Sequence, residues 1–261
     1  MNWYQVFSYI KYKLTSKHRK GYGIHSPFLF GFINNILLEK APFYSFEKIE
    51  AWRKSLYISK VPINKTDYGA GSSYKKELST ISEISKKSSI PSKYGKLLFK
   101  IANRYNATNI LELGTSLGIS TLYLSLHNSN AKVTTIEGCP NLSQFAKDSF
   151  TELGIKNITQ ITGKFDDVLP KTLKDNDSFD LIFFDGNHTK EATLSYFKQC
   201  LPKAKNDSIF IFDDIYWSKE MTEAWQEIYT HPSVTLSIDI FRFGIIFFRK
   251  ESQKEHFIIR F

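Results

Sequence analysis

The stretch Asn109-Ile-Leu-Glu-Leu-Gly-Thr-Ser-Leu-Gly-Ile-Ser-Thr121 constrains this chain more than any other. Ile110, Leu111 and Leu113 form an apolar run typical of a strand buried on both faces. Gly114 ends the run, Gly118 follows in the same turn, and Ile119 to Leu126 predicts a helix. A strand that feeds through a glycine turn into a helix offers bare backbone to a ligand. The spacing excludes two common ligand loops. A dinucleotide fingerprint starting at Gly114 needs glycine where Ser116 and Ile119 stand, and a Walker loop needs a Gly-Lys-Ser/Thr step that is missing here. What remains is Glu112-x-Gly114-x-Ser116-x-Gly118, with an acid two positions before the first glycine.

The strand-then-helix pattern continues. Further strands are predicted over 132–137, 157–162, 179–185 and 207–213, each followed by a helix: Asn141 to Leu153, Phe165 to Lys174, Lys190 to Leu201 and Lys219 to Tyr229. Such alternation gives a parallel, doubly wound α/β sheet. The end breaks the pattern. Val234 to Phe241 and Phe243 to Arg249 are joined by a link too short for a crossover, so this pair runs antiparallel. The expected fold is Rossmann-like and seven-stranded: five parallel βα units closed by a C-terminal antiparallel hairpin.

Residues 92–261 carry that domain, and 1–91 are read as a helical extension that caps it. Helices are predicted over 1–15, Phe28 to Glu39 and 46–58, with a turn cluster at Gly21 to Pro27. These helices are expected over the carboxyl ends of the strands. Residues 66–90 are expected as a mobile loop. Within it Asp67-x-Gly69-x-Gly71 repeats the acid–glycine spacing. The segment before it, with Pro62, Asn64 and Lys65, is a poor strand, so it is read as loop and not as a second ligand turn.

Composition narrows the classes. The net charge is +9, and residues 1–66 carry eleven Lys/Arg against Glu39, Glu47 and Glu50. A surface for RNA, anionic lipid or an acidic substrate is one explanation, and a solvated lysine-rich face is the favoured one, since no groove-reading or stacking motif accompanies the charge. Cys139 and Cys200 are too few for a disulfide framework or a cysteine zinc site, which favours a reducing, cytoplasmic setting. No apolar run reaches the ~20 residues of a membrane span, and no signal peptide is read.

Ligands in such sheets sit at the carboxyl ends of the strands. The first strand delivers Glu112 and Gly114. The second ends at Glu137, placed to accept hydrogen bonds from both hydroxyls of a ribose. The third ends at Gly163 and Phe165. The fourth ends at Asp185-Gly-Asn-His188, and the fifth at Asp213-Asp214. Three carboxylates on neighbouring strand ends form a costly uncompensated cluster that wants a cation, and hard oxygen donors suit Mg²⁺ or Ca²⁺.

Together these motifs resemble the class I S-adenosylmethionine (SAM) dependent methyltransferases. Within them they are most similar to the cation-dependent O-methyltransferases of the catechol and caffeoyl-CoA type, with an Asp-Asp pair like that of the macrolide-sugar enzymes. The resemblance covers about 92–250. It implies that Glu112, Gly114, Thr115, Ser116, Gly118, Ser120, Glu137, Gly138, Gly163, Phe165 and Asp185 bind SAM. Lys164 departs from the acid that such enzymes often place after the third strand. The resemblance further implies that Asp185, Asp213 and Asp214 hold a divalent cation. His188 stands where the catechol group places a lysine base, three residues after Asp185, and is expected to take the acceptor's proton beside Asp185. Trp217 is expected in an aromatic acceptor pocket and Trp225 in the core. The expected activity is O-methylation of a small molecule, with a homodimer as the one assembly considered. An RNA methyltransferase using the basic N-terminal region and a non-catalytic SAM-binding protein are the alternatives.

Overall fold

The computed structural model of the chain describes residues 3–17, 23–24, 26–67 and 75–261. From the amino end run α1 (Trp3–Thr15), α2 (Pro27–Phe32), α3 (Tyr44–Ile58), β1 (Pro62–Asp67), β2 (Lys75–Thr80), α4 (Ile81–Ser88) and α5 (Ser92–Arg104). Then come β3 (Asn109–Leu113), α6 (Ile119–Ser125), β4 (Lys132–Glu137), α7 (Pro140–Glu152), β5 (Ile158–Thr162) and α8 (Phe165–Lys174). The last third holds β6 (Phe179–Phe184), α9 (Lys190–Cys200), β7 (Ala204–Phe212), α10 (Lys219–Thr230), β8 (Leu236–Asp239), β9 (Gly244–Phe247) and β10 (Glu255–Ile258).

The strands other than β1 and β2 belong to one eight-stranded sheet in the order β10-β8-β9-β7-β6-β3-β4-β5. The pairs β3–β4, β4–β5 and β6–β7 are parallel, and β9 is antiparallel to both β7 and β8. The parallel units and the antiparallel closing pair are as the sequence predicts. The eighth strand is an addition: β10 pairs parallel to β8 at the edge.

Two compact units divide the chain, 40–175 and 1–39 with 176–261. In the first, the face of α5 made by Leu97, Leu98, Ile101 and Ala102 is buried, each leucine contributing about 1.5–3 kcal/mol. A Cβ built on Gly95 would stand 2.2 Å from the Tyr123 ring, so α5 and α6 approach backbone to ring. Gly95→Ala would force them apart. The Tyr123 hydroxyl donates to the Glu50 carboxylate, and Arg53 Nε lies 3.3 Å from Glu50, which fastens α3 along this helix layer. Phe43 and Phe46 close the contact against Phe99.

In the second unit the apolar runs of β6, β7 and β9 stack in register. The Phe184 and Phe212 rings lie 4.4 Å apart and nearly parallel. Ser26 caps α2, Pro27 opens it, and Phe28 and Phe32 meet the Phe247 ring edge-on. The helix continues through one π turn, Ile33–Leu37. α1 docks through hydroxyls: Tyr12 Oη donates to the Ile259 carbonyl at 2.6 Å and Tyr4 Oη to Thr222 Oγ1 at 2.8 Å.

The expected boundary at residue 91 is corrected in two ways. The extension is not a unit by itself: α1 and α2 belong with the last third of the chain, and α3 with 40–175. α3 lies along α6. Part of the expected loop 66–90 is regular structure, with β2 antiparallel to β1 and a capping box between Thr80 and Glu83 opening α4. Gly69 and Gly71 of the second acid–glycine motif lie outside the described residues, as do His25, Gly21 and Tyr22 of the turn cluster.

Candidate functional site

Each unit presents one acidic cluster at strand ends. In unit 40–175 the strand β3 leaves through Gly114 at φ 110, Ser116 at φ 47 and Gly118 at φ 80. Left-handed backbone at the two glycines costs them little, and a Cβ on Gly118 would also strike the Phe150 ring at 2.6 Å. The turn is pinned to the next strand. Gly114 N–H donates to the Ile136 carbonyl at 3.0 Å, and Ser116 N–H to Glu137 Oε2 at 2.7 Å. Glu137 Oε1 accepts Cys139 N–H at 2.8 Å. Gly163, at φ 156, donates its N–H to the Glu137 carbonyl, so the third strand end meets the second. Gly138 and Phe165 stand beside it, partly exposed.

Glu112 takes a different place from the one its motif suggests. It is fully buried, accepts from the Thr121 hydroxyl and, at 2.7 Å, from the Thr135 hydroxyl. Thr115 bonds Thr135 at 2.6 Å, and Ser120 bonds the same carboxylate. Burial pushes the Glu112 carboxyl up to about 7. Its Oε1 is buried with no hydrogen-bond partner. Thr115, Ser120 and Thr121 therefore hold this acid inside the turn, and the orphan oxygen is the one acceptor left over.

In the other unit, β6 delivers Asp185 and β7 delivers Asp213 and Asp214. His188 Nε2 lies 3.7 Å from Asp185 Oδ1. The cap of α9 is Thr189, not His188. The His188 ring centre is 6.1 Å from that of Trp217, whose side chain is 46 % exposed, while Trp225 is buried. Asp213 is buried and gripped by Arg242 in a two-bond fork, Nε to Oδ1 at 2.7 Å and Nη2 to Oδ2 at 2.6 Å. Asp213 Oδ1 also accepts Asp214 N–H at 2.8 Å. Asp214, with φ 51, places Oδ2 3.6 Å from Arg242 Nη2. Burial, reinforced by the Asp213 charge, pushes the Asp214 carboxyl up to about 7, and Arg242 opposes the rise. Burial works against the charge of Arg242, but Asp213, Asp214 and Asp185 together outweigh it and hold the guanidinium protonated.

The three carboxylates thus do share one countercharge, and it is an arginine. A divalent ion needs several anionic oxygens at once, whereas the charge of Asp213 is already balanced by the Arg242 fork. Among the described residues no group of three or more His, Cys, Asp and Glu side chains could hold a metal ion. The expected Mg²⁺ or Ca²⁺ set Asp185/Asp213/Asp214 does not fit a cation in this arrangement.

Arg242 and Asp239 escaped the sequence reading here, and the tie of Tyr216 to Asp239 was not foreseen. Arg242 counted only as hairpin link, although a lone charge inside Ile240-Phe-Arg-Phe-Gly-Ile245 was the available signal. Asp239 and Tyr216 form a second buried pair, Tyr216 Oη donating to Asp239 Oδ2 at 2.6 Å. Burial raises the Asp239 carboxyl to about 6. The Phe241 N–H donates to Asp239 Oδ1 at 2.8 Å, which shapes the turn that carries Arg242.

Residues 111–215 match the family described as "Methyltransferase domain". The chain is 31 % identical over 130 residues to a catechol O-methyltransferase of Niastella koreensis, covering 49 % of this chain and 58 % of that protein. It thus spans less than two thirds of the length of the curated relatives it matches. The fold is similar to that of an S-adenosylhomocysteine-bound methyltransferase of Podospora anserina, with TM-score 0.61 and 16 % identity over 87 % of this chain and 100 % of that one. It is also similar to a caffeoyl-CoA O-methyltransferase assigned in Staphylococcus aureus, with TM-score 0.57 and 19 % identity over 64 % and 88 % of the two chains.

Proposed function

We propose, from the premise that this chain carries a class I SAM-dependent methyltransferase domain, that it moves the methyl group of SAM onto a hydroxyl of a small molecule. The observation that carries this reading is the bond from Ser116 N–H to Glu137. It joins the glycine turn to an acid on the next strand, the pair of features that a nucleoside ligand with a free ribose needs. The orphan oxygen of Glu112 and the bare backbone at Gly114 fit the same ligand.

SAM supplies an electrophilic methyl on a sulfonium, so the protein has to orient and deprotonate the acceptor. Glu137 would accept the ribose hydroxyls, and residues 114–118 would admit the rest of the cofactor against backbone. His188 would take the acceptor's proton on Nε2. Asp185, 3.7 Å away, would then stabilise the imidazolium. Trp217 offers an exposed ring for an aromatic acceptor. Asp213 and Arg242 hold each other in place, so the positive charge near the acceptor comes from the guanidinium and no step is routed through a metal. Titration calorimetry tests the cofactor: SAM and S-adenosylhomocysteine are expected to bind, with NAD and ATP inert. Binding of NAD in place of SAM would leave the fold and overturn the function.

A further inference from the structure

The described apolar surface is concentrated on α1. Trp3 is 80 % exposed, Phe7 68 %, Ile10 50 % and Leu14 80 %. At 3.6 residues per turn these four fall in a band about 60° wide, on the side opposite the buried Tyr12. Lys11 flanks the band on one side and Lys13 on the other. The opposite face already has its partners, Phe241, Ile259 and Thr222. An exposed stripe of this kind on a docked helix marks an interaction surface.

The charge around the stripe selects the partner. No Asp or Glu occurs before Glu39, whereas Lys11, Lys13, Lys17, Arg19 and Lys20 do. A second copy set against the same stripe would bring Lys11 and Lys13 against their own kind with no acid on the helix to receive them. RNA would meet the lysines but leave the tryptophan, phenylalanine, isoleucine and leucine without a partner. A bilayer with anionic headgroups takes both: the apolar band sinks to the acyl boundary while the lysines reach back to the phosphates. No helix among the described residues is long and apolar enough to cross a membrane, so α1 would lie in the interface. We infer that α1 is a membrane-surface anchor for anionic lipid. The inference does not depend on the methyltransferase reading.

Co-sedimentation of the full chain with vesicles tests it. Binding is expected to vesicles of phosphatidylcholine with phosphatidylglycerol, to weaken as salt rises, and to be slight with phosphatidylcholine alone. The exposed double variant Phe7→Ser, Leu14→Ser should lower the bound fraction roughly tenfold or more while thermal melting is unchanged. Lys11→Glu with Lys13→Glu should abolish the preference for phosphatidylglycerol. Failure of the parent chain to bind anionic vesicles would overturn the anchor, as would undiminished binding by the serine variant. Sedimentation showing a dimer that Leu14→Ser dissociates would give the stripe to a second copy and equally overturn it.

Discussion

The two acidic strand ends are satisfied in opposite ways. Glu137 is held by backbone N–H groups, one from Ser116 on the preceding turn and one from Cys139 two residues on. Asp213 is held by a side chain, the Arg242 fork from the turn after β8. A carboxylate that accepts from backbone N–H groups keeps its negative charge without a cationic partner among these bonds. A buried carboxylate closed by a guanidinium already has its charge balanced, so it has little need of a metal cation. The difference teaches that acidic clusters at strand ends are not equivalent, and that the partner of each acid decides whether it binds ligand, metal or protein.

Removing the arginine should break the comparison most severely. Arg242→Ala leaves the fully buried Asp213 carboxylate without its partner, and a loss of about 3–5 kcal/mol is expected in urea unfolding. Loss within about 0.5 kcal/mol would mean the fork is dispensable. His188→Ala should lower turnover by roughly 10²-fold or more with SAM affinity preserved, measured by single-turnover transfer from labelled SAM. Unchanged turnover from pH 6 to 9 would remove the histidine as base. Glu137→Ala should weaken SAM by about 1–3 kcal/mol in calorimetry.

The smallest effect concerns protons. Glu112 titrates at about 7 when folded, against 4.5 for an unburied carboxyl. The folded chain therefore holds a proton that the unfolded chain has released between those values, and stability falls as pH rises from about 4.5 toward 7. Asp239, at about 6, acts in the same sense. Glu112→Gln should make the decline shallower, as read from urea unfolding at several pH values. An unaltered pH slope would show that Glu112 does not carry the proton.

The legible parts of this fold are those written in local pattern. β3, β6 and β9 are nearly continuous apolar runs, because strands buried on both faces tolerate little else. The turn at Gly114 and Gly118 is legible because its backbone needs residues that reach positive φ. β1 and β2 were not, since Pro62-Ile-Asn-Lys-Thr-Asp67 pairs only with β2 in a two-stranded sheet and its one buried apolar side chain, Ile63, is too little to impose alternation. β10 was missed because Glu255-His-Phe-Ile258 is a short, half-exposed edge. At the site, the spacing of Asp185, Asp213 and Asp214 suggested a metal cation. The arginine was not legible, because Arg242 reaches Asp213 across 29 residues of sequence and through a turn set by Asp239.

Manganese binding to the parent chain, followed by electron paramagnetic resonance with S-adenosylhomocysteine present, tests the arginine account most directly. With the guanidinium closing Asp213, no saturable site at one ion per chain is expected, and methyl transfer should persist in excess chelator. A stoichiometric manganese site that disappears in Asp213→Asn would contradict the account and return the three carboxylates to a metal.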